Sequence, residues 1–130
     1  RWWRPTVDTM RMVWHLWRNP PDGYLGGKLF VYWRGVGMFQ YWRGFDELEA
    51  FAKDDARPHL LAWRRLAALT KDDQTFGYWH ETYQVAPGTY ECIYGSMPRF
   101  GLAEATEHVA VSAATEAARG RIEAPVGSAS

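Results

Sequence analysis

FGYWHETYQVAPGTYECIYGSMP, running from Phe76 to Pro98, is the stretch whose reading decides the fold. Phe76 to Val85 is rich in aromatic and β-branched residues, and Thr89 to Met97 repeats that character, so both halves read as β-strands. Ala86-Pro87-Gly88 between them has turn chemistry, because proline presets φ at a corner and glycine accepts positive φ. Alternation places Phe76, Tyr78, His80, Thr82 and Gln84 on one face of the first strand, and Gly77, Trp79, Glu81, Tyr83 and Val85 on the other. In the second strand Tyr90, Cys92 and Tyr94 oppose Glu91, Ile93, Gly95 and Met97. Large rings occupy both sides, so neither is a plain solvent face. His80 and Glu81 stand among these rings, and a buried ionisable group is costly unless it is partnered or faces a wet cavity. Two readings stay open for the pair: satisfied structural groups, or members of a pocket.

Upstream, the chain predicts a helix, two strands and two more helices. Pro5 suits a first helical turn. Val7, Met10, Trp14 and Trp17 then recur at helical spacing, with Val13 and Leu16 widening the stripe, and Asp8 and Arg18 match the helix dipole. Asn19-Pro20-Pro21-Asp22-Gly23 stops that helix. Tyr24 to Trp33 reads as a loop through Gly26-Gly27 into a short strand, and Arg34-Gly35 as a bend. In the strand Val36–Arg43, Val36, Met38, Gln40 and Trp42 share one face. Gln40 is a lone amide in an apolar strand and needs a partner or a cavity. Gly44, Asp46 and Glu47 open a short helix that buries Phe45, Leu48, Phe51 and Ala52. Lys53–Arg57 reads as a solvated break. Pro58 then starts a helix with Leu60, Leu61, Trp63, Ala67 and Leu69 as its apolar face. Lys71-Asp72-Asp73-Gln74 reads as a polar loop. Downstream, Ala103–His108 reads as a helical turn and Ser112–Arg119 as helical by propensity. The chain is expected to fray from Gly120 onward.

With 130 residues the chain reads as one domain over residues 1–121, followed by a flexible tail, 122–130. Zero formal net charge gives no argument for nucleic acid or a membrane as partner. Cys92 is the single cysteine, which excludes an internal disulfide and suits a reducing, cytoplasmic setting. No apolar run has the length of a membrane span, and no signal peptide is visible. The P-loop, the paired-cysteine zinc pattern and the dinucleotide-binding glycine turn are absent, and four dispersed histidines predict no metal site. Eight Trp, seven Tyr and six Phe exceed what a core of this size needs, so some of them are expected to line a cavity or an oligomer interface.

The order helix, strand, strand, helices, strand, strand is that of a ferredoxin-like α+β unit lacking its first strand. YLGG (Tyr24–Gly27), QYWRGFDELEAFAKD (Gln40–Asp54), HLLAW (His59–Trp63) and above all WHETYQVAPGTYECIYGSMPRFGL (Trp79–Leu102) resemble a family of unknown-function domains. That family is described as monooxygenase-like, after a polyketide monooxygenase of fumagillin biosynthesis. The resemblance extends to about Arg121. It implies a ferredoxin-like, dimeric α/β barrel, with an antiparallel sheet carrying helices on one face and small-molecule pockets between paired sheets. Relatives carry an apolar strand before the first helix, ending in a pattern like Arg1-Trp2-Trp3. That strand is missing here, and with Arg1 in place of an initiator Met the chain reads as a fragment or processed product. Either the strand has been cut away by truncation, or another segment or chain is expected to fill the central position.

The leading functional expectation is a small-molecule monooxygenase of the cofactor-free type, acting on an aromatic or polyketide-type substrate. Such an enzyme needs a base to form a substrate anion and a dry pocket for oxygen. Imidazole suits proton transfer near neutral pH, which makes His80 the candidate base. Glu81 and Tyr83 complete the catalytic candidates, while Gln40, Trp42, Tyr78, Thr82, Tyr94 and Met97 are the substrate-binding candidates. Strand neighbours point to opposite faces, so His80 and Glu81 cannot share one pocket in a regular strand. Superfamily analogy adds a haem alternative with His80 or His59 as axial ligand, and a non-catalytic binding module is the third reading. The expected partners are a small-molecule substrate and a second copy in a homodimer, since an aromatic sheet face is improbable on a monomer.

Overall fold

The computed structural model describes residues 3–72, 75 and 77–124, with side chains for all of these except 3–5 and 72. The expectations for Arg1, Trp2, Asp73, Gln74, Phe76 and the tail beyond 124 lie outside the described residues. The elements in order are α1 (Trp3–Arg18), β1 (Tyr24–Tyr32), β2 (Gly35–Trp42), α2 (Phe45–Lys53), α3 (Pro58–Asp72), α4 (Leu102–Ala105) and α5 (Ala118–Glu123). This is an α+β chain with a two-stranded antiparallel sheet among the described residues. It forms two compact units, Arg1–Thr82 and Tyr83–Ser130.

In the first unit, α1 is helical where its spacing predicts, but a different face is buried. Val13 and Leu16 are almost fully buried, whereas Val7, Met10, Trp14 and Trp17 are exposed. Burying an aliphatic side chain contributes about 1.5–3 kcal/mol. The edge of the predicted stripe therefore supplies the packing: α1 meets α3, and Leu16 lies beside Phe51, Pro58 and His59. Asp8 follows the same geometry. No acid lies in the first turn of α1, and the Asp8 carboxylate reaches Arg65 of α3 at 3.3 Å. At its other end α1 is closed by Asn19 N–H donating to His15 O at 2.9 Å. Arg57 Nη1 donates to Asn19 O at 3.0 Å, tying the α1 exit to the start of α3.

The strands pair from Tyr24↔Trp42 to Tyr32↔Gly35, with an irregularity between Tyr24 and Gly26. Gly26-Gly27 thus lies inside β1 rather than in a leading loop. A bulge needs one residue with unusual dihedrals, and Gly26 supplies it at φ 147°. Across the ladder Phe30 faces Gly37, and its ring fills the space a side chain at Gly37 would take. The open end is tied by Arg43 N–H donating to Gly23 O at 2.8 Å.

Helix α2 begins after Gly44, with Asp46 and Glu47 in its first turn, as the sequence indicates. None of its described residues is fully buried. Phe45 is exposed, and Leu48 and Phe51 are half-buried. The charged break after α2 is organised by Asp54, which accepts from Ala56 N–H at 3.0 Å and from Arg57 Nε at 2.9 Å. Pro58 then opens α3, a position where its missing N–H costs nothing.

The structure differs most from the reading of the sequence in residues 77–97. Among the described residues no strand forms here, and nearly every side chain from Gly77 to Phe100 is exposed. β-propensity expresses how a side chain fits a pleated, half-buried surface, and it is not realised without a neighbouring ladder. The predicted turn does form. Thr89 donates to Ala86 O through its N–H at 3.3 Å and its Oγ1 at 2.6 Å, with Gly88 at φ 77°. Within the second unit, Arg99 clamps the end of α4, donating to Ala103 O and Thr106 O, both at 3.0 Å. The helix expected over Ser112–Arg119 starts only at Ala118, and α5 runs on through residues 120–123, which are expected to fray. Arg121 anchors it by donating to Glu91 at 2.6 Å and to the Thr115 and Glu116 carbonyls at 3.0 and 2.6 Å.

Candidate functional site

The predicted site residues fall into three groups. The first is built on β2. Gln40 and Trp42, two residues apart, share a face, and Trp42 Nε1 donates to Gln40 Oε1 at 2.9 Å. Gln40 Nε2 in turn meets Met38 Sδ at 3.4 Å. The lone amide is thus satisfied along its own strand. Trp42 also touches Tyr24 edge-on, with centroids 5.3 Å apart, and lies 5.1 Å from Phe51 of α2.

Phe51 carries the contact onward to His59 of α3, whose ring is 4.1 Å away and tilted by only 21°. His59 is 3 % exposed. Its Nε2 lies 3.2 Å from Ala52 O, and a carbonyl can only accept, so the proton sits on Nε2. Nδ1 is buried without a partner. Beside the ring runs a narrow crevice lined by Met12, His15, Leu16, Phe51, Arg57, Pro58 and His59, with no room for a water molecule. Ligand pockets begin at about 300 Å³, so this crevice takes no small molecule. With Nε2 held by Ala52 and this little space beside Nδ1, these residues do not fit a haem on His59.

The second group gathers on Trp63, one turn beyond His59. Tyr78 meets the Trp63 ring edge-on at 5.2 Å and His80 meets it at 5.7 Å, with interplanar angles of 75° and 90°. Trp79 turns the other way, to Tyr32 of β1 at 6.0 Å. The alternation read from the sequence therefore persists although no ladder forms. Glu81 and Thr82 are exposed.

The third group belongs to the second unit. Tyr83 is exposed. Tyr94 is half-buried, its hydroxyl accepting from Ala103 N–H at 3.1 Å and its ring edge-on to His108 at 5.4 Å. Met97 is exposed. Sequence reasoning missed Trp63 as the residue that brings Tyr78 and His80 together, and Phe51 as the ring bridging Trp42 to His59. The available signal was the four-residue spacing of His59 and Trp63, which puts both on one helical face.

Electrostatics is concentrated at the open end of the hairpin. Arg43 Nε donates to Glu47 Oε1 at 2.9 Å, and its Nη2 lies 3.1 Å from Asp22. The hydrogen bond from Arg43 holds the Glu47 carboxyl below the usual carboxylate range. The bonds to Glu47 and then to Asp22 raise Arg43 above its ordinary value. A second hollow, shallow and open, runs along α1 and is lined by Thr6, Val7, Met10, Arg11 and Trp14. Among the described residues no three His, Cys, Asp or Glu side chains converge to hold a metal ion, and no helix is long and apolar enough to cross a membrane.

An α+β chain with an aromatic-lined sheet and a histidine–tyrosine pair on one indole is the setting in which family membership becomes informative. Residues 1–102 match the family described as Monooxygenase af470-like, and the chain belongs to it. No curated protein matches the chain. No solved structure does so either.

Proposed function

We propose that the chain acts as a cofactor-free monooxygenase on an electron-rich aromatic or polyketide-type substrate, with His80 as the proton-accepting group. The observation that carries this reading is the seating of Tyr78 and His80 side by side on Trp63, within the residues that match the monooxygenase-like family. His80 takes a phenolic or enolic proton. The resulting anion gives electrons to dioxygen and forms a carbon–oxygen bond. Loss of water from that hydroperoxide adduct leaves one oxygen atom on the substrate as a carbonyl, so the substrate itself supplies all four electrons, two to the oxygen it keeps and two to the oxygen released as water. Trp63 and Tyr78 offer an apolar wall for a flat ring. Within the first unit, Gln40, Trp42 and Thr82 are assigned to substrate orientation. The reading includes a cytoplasmic homodimer, supported by the number of rings left exposed on each chain.

The test is His80→Ala, followed by oxygen uptake on phenolic substrates and by thermal melting. The variant is expected to keep its melting temperature and to lose about 10²–10⁴-fold in rate, the usual contribution of a positioned base. A loss of melting temperature with activity tracking only the folded fraction would assign the ring to structure. Sedimentation at micromolar concentration tests the dimer, and a stable monomer would remove it.

A further inference from the structure

Helix α1 turns an apolar face to solvent. Val7, Met10, Trp14 and Trp17 recur along it and are 39 %, 51 %, 58 % and 52 % exposed. Two indoles and a thioether left in water form a patch that marks an interaction surface. The charge beside them has one sign. The Arg18 guanidinium lies over the Trp14 ring, 5.1 Å from its centroid, and Arg11 lines the same shallow hollow as Met10 and Trp14. Neither has a carboxylate partner among the described residues. Asp8, the one acid of the helix, is turned to Arg65 of α3. The tip of the β1–β2 hairpin repeats this composition. There Trp33 is 94 % exposed and Val31 83 %, with exposed Arg34 next in the chain.

Three occupants suit an apolar, cationic surface, and the arrangement separates them. A second copy pairing α1 faces about a two-fold axis would bring Arg11 and Arg18 of each copy together with no acid between them. An acidic peptide needs a groove with two walls, and among the described residues the hollow is lined by α1 alone. A bilayer surface needs no second wall. It offers headgroup phosphates to guanidinium groups and a shallow apolar layer to indoles, which settle at that boundary. Net neutrality of the whole chain does not oppose this, because charges more than about 8 Å apart are screened in physiological salt.

The geometry points to peripheral attachment to an anionic lipid surface: the Met10–Trp14–Trp17 face of α1 enters the headgroup boundary, and Arg11 and Arg18 contact the headgroups.

The experiment is co-sedimentation of the full chain with vesicles of equal parts phosphatidylcholine and phosphatidylserine, and with phosphatidylcholine alone. Binding to the mixed vesicles is expected to exceed binding to the neutral ones and to weaken with added salt. Arg11→Ala with Arg18→Ala should reduce it about thirtyfold, the loss of two cations at about 1 kcal/mol each. Trp14→Ala with Trp17→Ala should reduce it as well. Circular dichroism checks both variants, and if the tryptophan pair fails to fold, the exposed arginine pair carries the test alone. No co-sedimentation, equal binding to neutral vesicles, or unchanged binding by the arginine variant would overturn the proposal. Reversible self-association abolished by the tryptophan substitutions would also overturn it, by assigning the face to a second copy.

Discussion

His59 stacks on Phe51, with ring centroids 4.1 Å apart and planes 21° from parallel, so that the second residue of α3 is locked onto the last turn of α2. The same ring reaches the Ala52 carbonyl, one of the orphan acceptors at a helix C-terminus. One side chain therefore joins two helices by packing and by a hydrogen bond. His59→Ala is expected to lower stability by about 2–4 kcal/mol, from the cavity and the lost bond together. His59→Phe keeps the stack and removes the unpartnered Nδ1. It should lose clearly less, because Ala52 is exposed and water can satisfy its carbonyl. Urea unfolding of both variants checks the order, and equal losses would show that the hydrogen bond outweighs the packing.

Stability should fall on the acid side through Glu47. Its carboxyl is held low by Arg43, so its contribution is fully present above the ordinary carboxylate pKa and is lost as pH falls through the lowered folded value. Arg43 is raised, and its contribution is present at every pH below its ordinary value. Acid loss from this pair therefore belongs to Glu47. The urea midpoint of Glu47→Gln should depend less on pH than the parent's below about pH 4.3. Parallel curves for the two chains would exclude the pair from acid unfolding.

Gly37→Ala should destabilise the hairpin by about 1–3 kcal/mol, because a Cβ there runs into the Phe30 ring. Phe30→Leu in the same chain should recover part of that loss, since it clears the space. A double-mutant cycle on melting temperature measures the coupling. Additive effects would mean that Phe30 does not cover Gly37 in solution.

Much of the local structure is legible in the sequence. Pro58 and Asp46-Glu47 mark helix starts where helices start, and Ala86-Pro87-Gly88 is a turn because its residues can hardly be anything else. The sides taken by Tyr78, Trp79 and His80 were also readable, since alternation is a property of any extended backbone. For the candidate site this placed Tyr78 and His80 together and Gln40 beside Trp42. It left Trp63 and Phe51 unrecognised as the rings those residues touch, because such contacts join elements far apart in the chain.

The sequence by itself determined helices α1, α2 and α3, the β1 and β2 strands, the Ala86–Gly88 turn and membership of a monooxygenase-like family, all of which rest on short-range chemistry and residue pattern. Tertiary structure decided which side of α1 is buried, where Asp8 finds its cation, and whether Tyr78 to Met97 becomes sheet. The physical reason is common to all three. A hydrophobic stripe, a carboxylate and a β-prone segment each specify what they need, but only the neighbour that arrives in three dimensions determines whether and where that need is met.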